Sequence, residues 1–278
     1  MNTASVSARW IRCAWKPTTA DMGPAVRAVF RELLRRELEE RYRGSLLGAA
    51  WLLLLPLLQL AVLAWVFGAL LPARATGGGD LPYAAFLALG LWPWNLLATA
   101  VNRGVTALTD NAALIGKVVV PHGLYVDTRV AAAALIELAG FAVVLLALWL
   151  WGVPMDWKGL PALAAGLGVV AVLALALARL LAVLQVFLRD IAALTGQLLV
   201  LGFFITPVLY DRALLPAAAS PWLALNPMTV PVESIRAGLS GTPVDWQALA
   251  ACAAAAGVLL VLAQWLMRRG RAHLEDFL

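Results

Sequence analysis

The sequence predicts an all-α integral membrane protein with six transmembrane helices, and three observations carry that prediction. The chain is 63% hydrophobic and only 13% charged, where soluble domains are roughly one quarter charged. Its mean hydropathy is +0.85. Apolar runs of the length needed to cross hydrocarbon, about 20 residues each, recur at 46–71, 83–108, 130–151, 160–188, 192–210 and 246–267.

The stretch 26–43 precedes the first run. Val26, Val29, Phe30, Leu33, Leu34 and Leu38 recur at helical spacing, while Arg27, Arg31, Arg35, Arg36, Glu39 and Glu40 take the opposite side. Pro24 suits a first helical turn. A basic amphipathic helix settles at the headgroup level, its arginines drawn to anionic lipid. Packing on a soluble core would need such a core, and the sequence offers none. The helix then turns through Gly44-Ser45 into the run 46–71, which starts too late and runs too long for a cleavable signal peptide. That span is expected to remain in the mature chain.

Six spans place both ends on one side, and positive charge says which. Arg9, Arg12, Lys16, Arg27, Arg31, Arg35, Arg36, Arg41 and Arg43 precede the first span, and Arg268, Arg269 and Arg271 follow the last. Connections on the same side add Lys117, Arg129 and Arg189, against Arg74, Lys158, Arg212 and Arg236 opposite. Both termini are therefore expected in the cytoplasm. The chain divides into a cytoplasmic segment 1–45, a membrane domain 46–267 and a tail 268–278. Cys13 and Cys252 cannot meet in this topology, so no structural disulfide is expected, and no metal-ligand spacing occurs.

Two connections are unusual. On the cytoplasmic side, 110–121 reads as one short helix, capped by Thr109 or Asp110 and stopped by Pro121. Its apolar residues Leu114, Ile115 and Val118 have no soluble domain to pack on, which leaves a partner protein or a plain turn resting on headgroups. On the outside, 211–245 is too apolar for a solvated loop and too rich in proline to span. Asn226-Pro227 reads as a cap and first-turn proline of a helix ending at Ser240-Gly241, with 216–225 as a shorter companion. Such paired pieces fit a re-entrant or interfacial element at the outer mouth of a pathway.

Ionisable residues within spans are functional candidates. Arg103 lies near a cytoplasmic end, where snorkelling accounts for it. Glu137 and Arg179 sit roughly 10 Å and 13 Å from the cytoplasmic ends of adjacent spans. Two readings are open for them: a mutual ion pair, or separate exposure to a water-filled pathway. The chain has twelve tryptophans, of which Trp51, Trp92, Trp94, Trp149, Trp151, Trp157, Trp222 and Trp246 fall near expected span ends, as in an interfacial belt.

Enzyme classes fit poorly. Gly238-Leu239-Ser240-Gly241 looks superficially like the serine motif of an intramembrane protease, but the only histidines, His122 and His273, fall in cytoplasmic segments. No His-Glu-x-x-His and no paired aspartates within a span occur. Gly116-Lys117-Val118 lacks the upstream glycine of a phosphate loop.

Four motifs in order carry a resemblance. They are Arg36-Glu37-Leu38 through Arg41-Tyr42-Arg43-Gly44-Ser45-Leu46-Leu47-Gly48 with Trp51 and Pro56; the segment 111–121; Arg189-Asp190 leading to Phe203-Phe204-Ile205-Thr206-Pro207-Val208-Leu209-Tyr210; and Asn226-Pro227-Met228-Thr229 with Glu233 and Arg236. Covering nearly the whole chain from Arg27 onward, they resemble the permease subunit of ABC-2 type polysaccharide exporters. Members of that family export O-antigen, capsular polysaccharide or teichoic acid.

The resemblance implies a homodimer with two ATPase subunits in the bacterial inner membrane, handling a lipid-linked polysaccharide among membrane lipids, with no nucleic acid. O-antigen is the first expectation, capsule or teichoic acid the alternative, and a simple channel the more distant one. The chain itself would hold no cofactor, ATP and Mg belonging to the partner. Asp110, Asn111, Leu114, Ile115 and Lys117 would form the ATPase-coupling helix. Arg41, Tyr42, Arg43 and Trp51 would form the substrate entrance. Trp92, Trp94, Glu137, Arg179, Asn226, Pro227, Glu233 and Arg236 would line the channel or the periplasmic gate helices, with aromatic rings stacking on sugars. Residues 1–20 have no counterpart in the resemblance.

The topology is tested by single cysteines in a chain freed of Cys13 and Cys252. An impermeant thiol reagent added outside should label substitutions at Gly78, Asp156 and Ala218 and spare those at Ser7 and Ala272. Outside labelling at either terminal position would reverse the sidedness.

Overall fold

A computed structural model describes residues 19–40, 48–70, 81–115, 120–216 and 220–270. Its helices are α1 (Thr19–Glu40), α2 (Trp51–Leu70), α3 (Tyr83–Val105), α4 (Ala107–Asp110), α5 (Ala112–Ile115) and α6 (Gly123–Leu150). They continue with α7 (Leu160–Phe187), α8 (Ile191–Ile205), α9 (Ser220–Leu225), α10 (Thr229–Ser240) and α11 (Trp246–Arg269). Short 3₁₀ turns at Gly48–Ala50, Trp157–Gly159 and Arg212–Leu214 lie between them. No strand occurs among the described residues.

Four of the described helices are long and apolar enough to cross a membrane: α3, α6, α7 with its 3₁₀ lead-in, and α11. The expected run 46–71 is described from Gly48, with α2 starting at Trp51. The expected run 192–210 is corrected, because α8 stops at Ile205 after 15 residues. At 1.5 Å per residue that is about 22 Å, against about 30 Å of hydrocarbon. Pro207 explains the stop: the residue before a proline is pushed out of the helical region, and Thr206 is extended at φ −74, ψ 138. Another boundary moves the other way. The run 130–151 begins seven residues early, since α6 starts at Gly123.

The core forms around α3, which buries 16 of its 23 residues and, past its first turn, leaves only a narrow, mostly polar stripe, Asn95, Ala98, Thr99, Asn102 and Arg103, less covered. α6 and α7 flank it, α11 packs on α7, and α10 crosses α7 and α3. Small residues set the crossings, as is usual where helices pack in a membrane. A Cβ on Gly104 would lie 2.5 Å from that of Ala178, and one on Gly166 would lie 2.6 Å from Ile235. Near the start of α6, Gly123 comes against Met267 of α11, so a Cβ there would be 3.1 Å from its sulfur. α1 packs on α6 through Arg129, six residues further along. Hence α1 and the last turns of α11, with Arg268 and Arg269, share one end of the bundle, the basic end.

Of the segment 110–121, expected as one helix, the described part holds one helical turn, α5, from Ala112. α4 and α5 are four residues each, separated by a turn at Asn111, and 116–119 lie outside the described residues. Asn111 Nδ2 donates to the Ala107 carbonyl at 2.8 Å, a side-chain bond that competes with helix continuation. Neither expected cap forms: the Thr109 hydroxyl donates to the Thr106 carbonyl, and Asp110 is engaged by Arg129.

At the far end, the expected pair of short helices is present as α9 and α10. Asn226 makes the break by accepting from the Met228 N–H at 3.0 Å. α10 ends as its sequence suggests, with Gly241 left-handed at φ 73, a conformation that favours glycine. Outward-facing surfaces of the long helices are apolar, as with Leu135, Leu146, Val258, Val261 and Leu262. Trp149, Trp151, Trp157 and Trp246 stand exposed where α6, α7 and α11 meet the far end, in the manner of an interfacial belt.

The tightest crossing generates a prediction. A Cβ on Gly159 would lie 1.9 Å from the Gly238 carbonyl oxygen, whereas one on Gly168 meets nothing within 4 Å. Gly159→Ala should destabilise the detergent-solubilised protein by about 1–3 kcal/mol, the usual overpacking cost. Gly168→Ala should leave it unchanged or slightly stabilised. Tryptophan-fluorescence melting of the two variants side by side checks this.

Candidate functional site

The basic end holds a chain of charges across four helices. Glu37 of α1 accepts from Arg103 of α3 at 2.5 Å and from Arg129 of α6 at 3.0 Å. Arg129 also donates to Thr106 Oγ1 at 3.0 Å and to Asp110 Oδ2 of α4 at 2.6 Å. Two cations and two anions alternate, so the cluster is neutral. Glu37 and Arg129 are largely withdrawn from solvent, with side chains 12% and 15% exposed, and charges so placed require partners. Sequence reasoning counted Arg129 only toward sidedness and gave Glu37 no role. The signal was there: Phe30 and Leu33 of α1 pack on the core, and Glu37 continues their face at seven and four residues' distance.

The expected coupling residues divide. Asp110 is half exposed while paired with Arg129, and Asn111 shapes the turn. Ile115, expected to be exposed, is buried at 9%, and Leu114 is partly buried against the core. For Leu114 and Ile115 the expectation of a bare apolar face is corrected, because α5 turns those side chains toward the bundle; Val118 lies outside the described residues. Asp110 and Ala113 are the exposed residues of α4 and α5. Lys117 lies outside the described residues, as do Arg41, Tyr42 and Arg43; Trp51 is half buried at the start of α2.

The pairing of Glu137 with Arg179 does not occur. Arg179 is held by Asp127 in a bidentate pair, Nε to Oδ1 at 2.8 Å and Nη2 to Oδ2 at 2.6 Å, with Nη1 on Gln264. Glu137 accepts from the Thr99 hydroxyl at 2.9 Å. Asp127 and Glu137 are ten residues apart on α6, about 15 Å along the axis, so Arg179 reaches only the first. Arg103 does not simply snorkel to water, since Glu37 receives it.

The far end is organised by Arg236 of α10, buried at 8%. Its guanidinium donates to three carbonyls, of Phe86 at 3.1 Å, Pro207 at 2.5 Å and Val208 at 2.6 Å. It also lies 3.6 Å from the Phe86 ring centroid, a cation–π contact. Burial pulls its pKa down to about 9. Gly90 provides the space, since a Cβ there would lie 2.4 Å from Arg236 Nη2. Asn226 joins the same turn, its amide donating to Thr206 Oγ1 at 2.8 Å, while Pro227 is exposed in the turn that starts α10. Glu233 stands 3.8 Å from Arg212, and burial pushes its carboxyl up.

Trp92 and Trp94 are core residues of this protomer, 2% and 7% exposed. Trp92 stacks on Phe141 at a centroid distance of 6.2 Å, and Trp94 meets Phe203 edge-on at 6.0 Å. Neither offers a free ring face to a sugar, which corrects the expectation that placed them on the pathway.

Arg129 serves two carboxylates, so its loss should be the more damaging. Arg129→Ala should cost about 3 kcal/mol, as removal of one partner from a buried pair does. The double variant with Glu37→Ala should cost less than the sum of the two single variants. Denaturant unfolding in detergent measures this, and strictly additive costs would show that the pair is energetically absent.

Comparison with known proteins covers both ends. Residues 28–240 match the ABC-2 type transporter family, a stretch running from α1 to the last residue of α10. An O-antigen export system permease protein RfbA of Myxococcus xanthus is 33% identical over 218 residues, covering 76% of this chain and 80% of the relative. Two proteins of the same description from Klebsiella pneumoniae are 25% identical over 207 and 214 residues, each match covering 73% of this chain and 77% of the relative. With the charge network and the Arg236 clamp inside the matched stretch, and four membrane-length helices beside them, the chain belongs to the ABC-2 type transporter family.

Proposed function

We propose that this chain is the permease subunit of an exporter that moves lipid-linked O-antigen across the bacterial inner membrane. The observation that carries the reading is the 33% identity to an O-antigen export permease along 76% of the chain. In this reading α2 joins the four long helices as a span, and the short α8 completes a sixth crossing together with the non-helical stretch 206–210, which leaves both termini cytoplasmic. The working unit is a homodimer with two ATPase subunits. This chain holds no cofactor, and ATP and Mg sit on the partner.

The charge network supplies the mechanical link. The ATPase engages the segment 110–121, whose exposed part includes Asp110. A pull on Asp110 is felt by Arg129, and through Arg129 by Glu37 on α1. α1 leads directly to Arg41, Tyr42 and Arg43, where paired guanidinium groups suit a lipid pyrophosphate. Docking of the motor and presentation of the lipid-linked end thereby share one residue. At the outer side α9 and α10 form a re-entrant gate, and the Arg236 clamp fixes the turn between α8 and α9 against α3.

Deleting the gene for this chain in a strain with no second exporter should abolish surface O-antigen and leave lipid-linked polymer inside the cell. The Arg41→Ala, Arg43→Ala double variant should do the same while still recovering its ATPase on purification. Normal surface polymer in the deletion would remove the cargo assignment.

A further inference from the structure

At the basic end a second polar site lies apart from the charge network. A cavity of about 500 Å³ opens between the start of α6, the inner part of α7 and the end of α11, lined among others by Asp127, Arg179, Gln264, Met267 and Arg268. Asp127 and Arg129 are two residues apart on α6, about 200° around the helix. The cavity therefore faces away from Glu37.

Depth and charge define what it can hold. Counting at 1.5 Å per residue, Asp127 lies about 6 Å from the start of α6, Gln264 about 8 Å from the end of α11 and Arg179 about 12 Å from the end of α7. These depths run from the headgroup layer into the edge of the hydrocarbon. An acyl chain alone is a poor occupant, because it offers no acceptor to the remaining N–H groups of Arg179 and Arg268. Two arginines face one aspartate, which with the lining His122 counted neutral leaves one formal positive charge in excess. Arg179 is oriented by Asp127 and Gln264, each Nη keeping a further N–H. Arg268 has no acidic partner among the described residues. The positive end of the 28-residue helix α6 adds to the field.

We propose that this cavity binds the phosphate headgroup of an anionic phospholipid from the leaflet at the basic end. Arg268 closes on the phosphate at the mouth and Arg179 meets it at depth. Guanidinium groups match phosphate geometry, and basic pockets between transmembrane helices suit such headgroups. A single phosphodiester charge matches the single excess positive charge, whereas the diphosphate of a lipid-linked cargo would exceed it. The site requires only that these helices cross a bilayer, whatever is exported.

The test uses the purified full chain in phosphatidylcholine nanodiscs containing phosphatidylglycerol, with lipid retained on release counted by native mass spectrometry. Arg268→Ala removes a cavity arginine. Arg269→Ala removes the same charge one residue away, where the guanidinium lies 5.1 Å from the Trp265 ring centroid. Wild type and Arg269→Ala should retain phosphatidylglycerol, and Arg268→Ala should lose it about tenfold, as for one lost charge-assisted hydrogen bond. Equal loss in both variants would mean diffuse attraction to a basic end, and equal retention would mean no arginine contact; either overturns the site. In a competition arm, undecaprenyl diphosphate that displaces phosphatidylglycerol from wild type but not from Arg268→Ala would assign the cavity to the cargo instead. Circular dichroism unchanged in both variants confirms that lipid loss is not unfolding.

Discussion

A carboxylate on the buried face of an amphipathic helix is the constraint on which the basic end depends. Glu37 cannot face the core alone, because an unpaired charge there costs several kcal/mol. It is tolerated because Arg103 and Arg129 arrive from two other helices. That requirement fixes where α1 lies against the bundle and how far along α6 it sits. It also draws in α4, since Arg129 has donors left for Asp110. Four elements are thus registered by one neutral chain of charges. Apolar packing alone would let α1 slide along its greasy face.

The far end solves a different problem with similar means. The turn after α8 leaves carbonyls without helical partners, and Arg236 collects two of them, of Pro207 and Val208, together with the Phe86 carbonyl of α3 in a single guanidinium. Being planar and carrying five donors, arginine suits this task where lysine does not. The turn, α10 and the outer half of α3 are thereby one unit, with Asn226 adding a second tie to Thr206.

Much of this architecture was legible in the sequence, and the misses share a cause. The amphipathic period of α1, the four long apolar helices, the break at Asn226-Pro227 and the glycine stop of α10 are local patterns, and local physics reads them. The start of α6 was missed because a hydropathy window stops at charged residues, and Asp127 and Arg129 are charged. Those two are the ones that pair across helices, so the criterion for a span discarded the partners of Arg179 and Glu37. Once Asp127 was placed in a loop, Glu137 was left as the counter-ion for Arg179. The same blindness to tertiary context put Trp92 and Trp94 on a pathway and Ile115 on an open face. Helix α3 is covered over most of its circumference, which no pattern within 83–105 alone reveals.

The clamp at Arg236 reads its partners by backbone, and this bears on which substitutions the far end can absorb. Carbonyl oxygens belong to every residue type, so the identities of Pro207 and Val208 can drift without removing an acceptor, whereas Phe86 also offers its ring to the guanidinium. Gly90 has no such freedom, since any side chain there would take the volume the guanidinium fills. The turn is thus tolerant of mutation where it is gripped and intolerant at a residue on another helix that it merely faces.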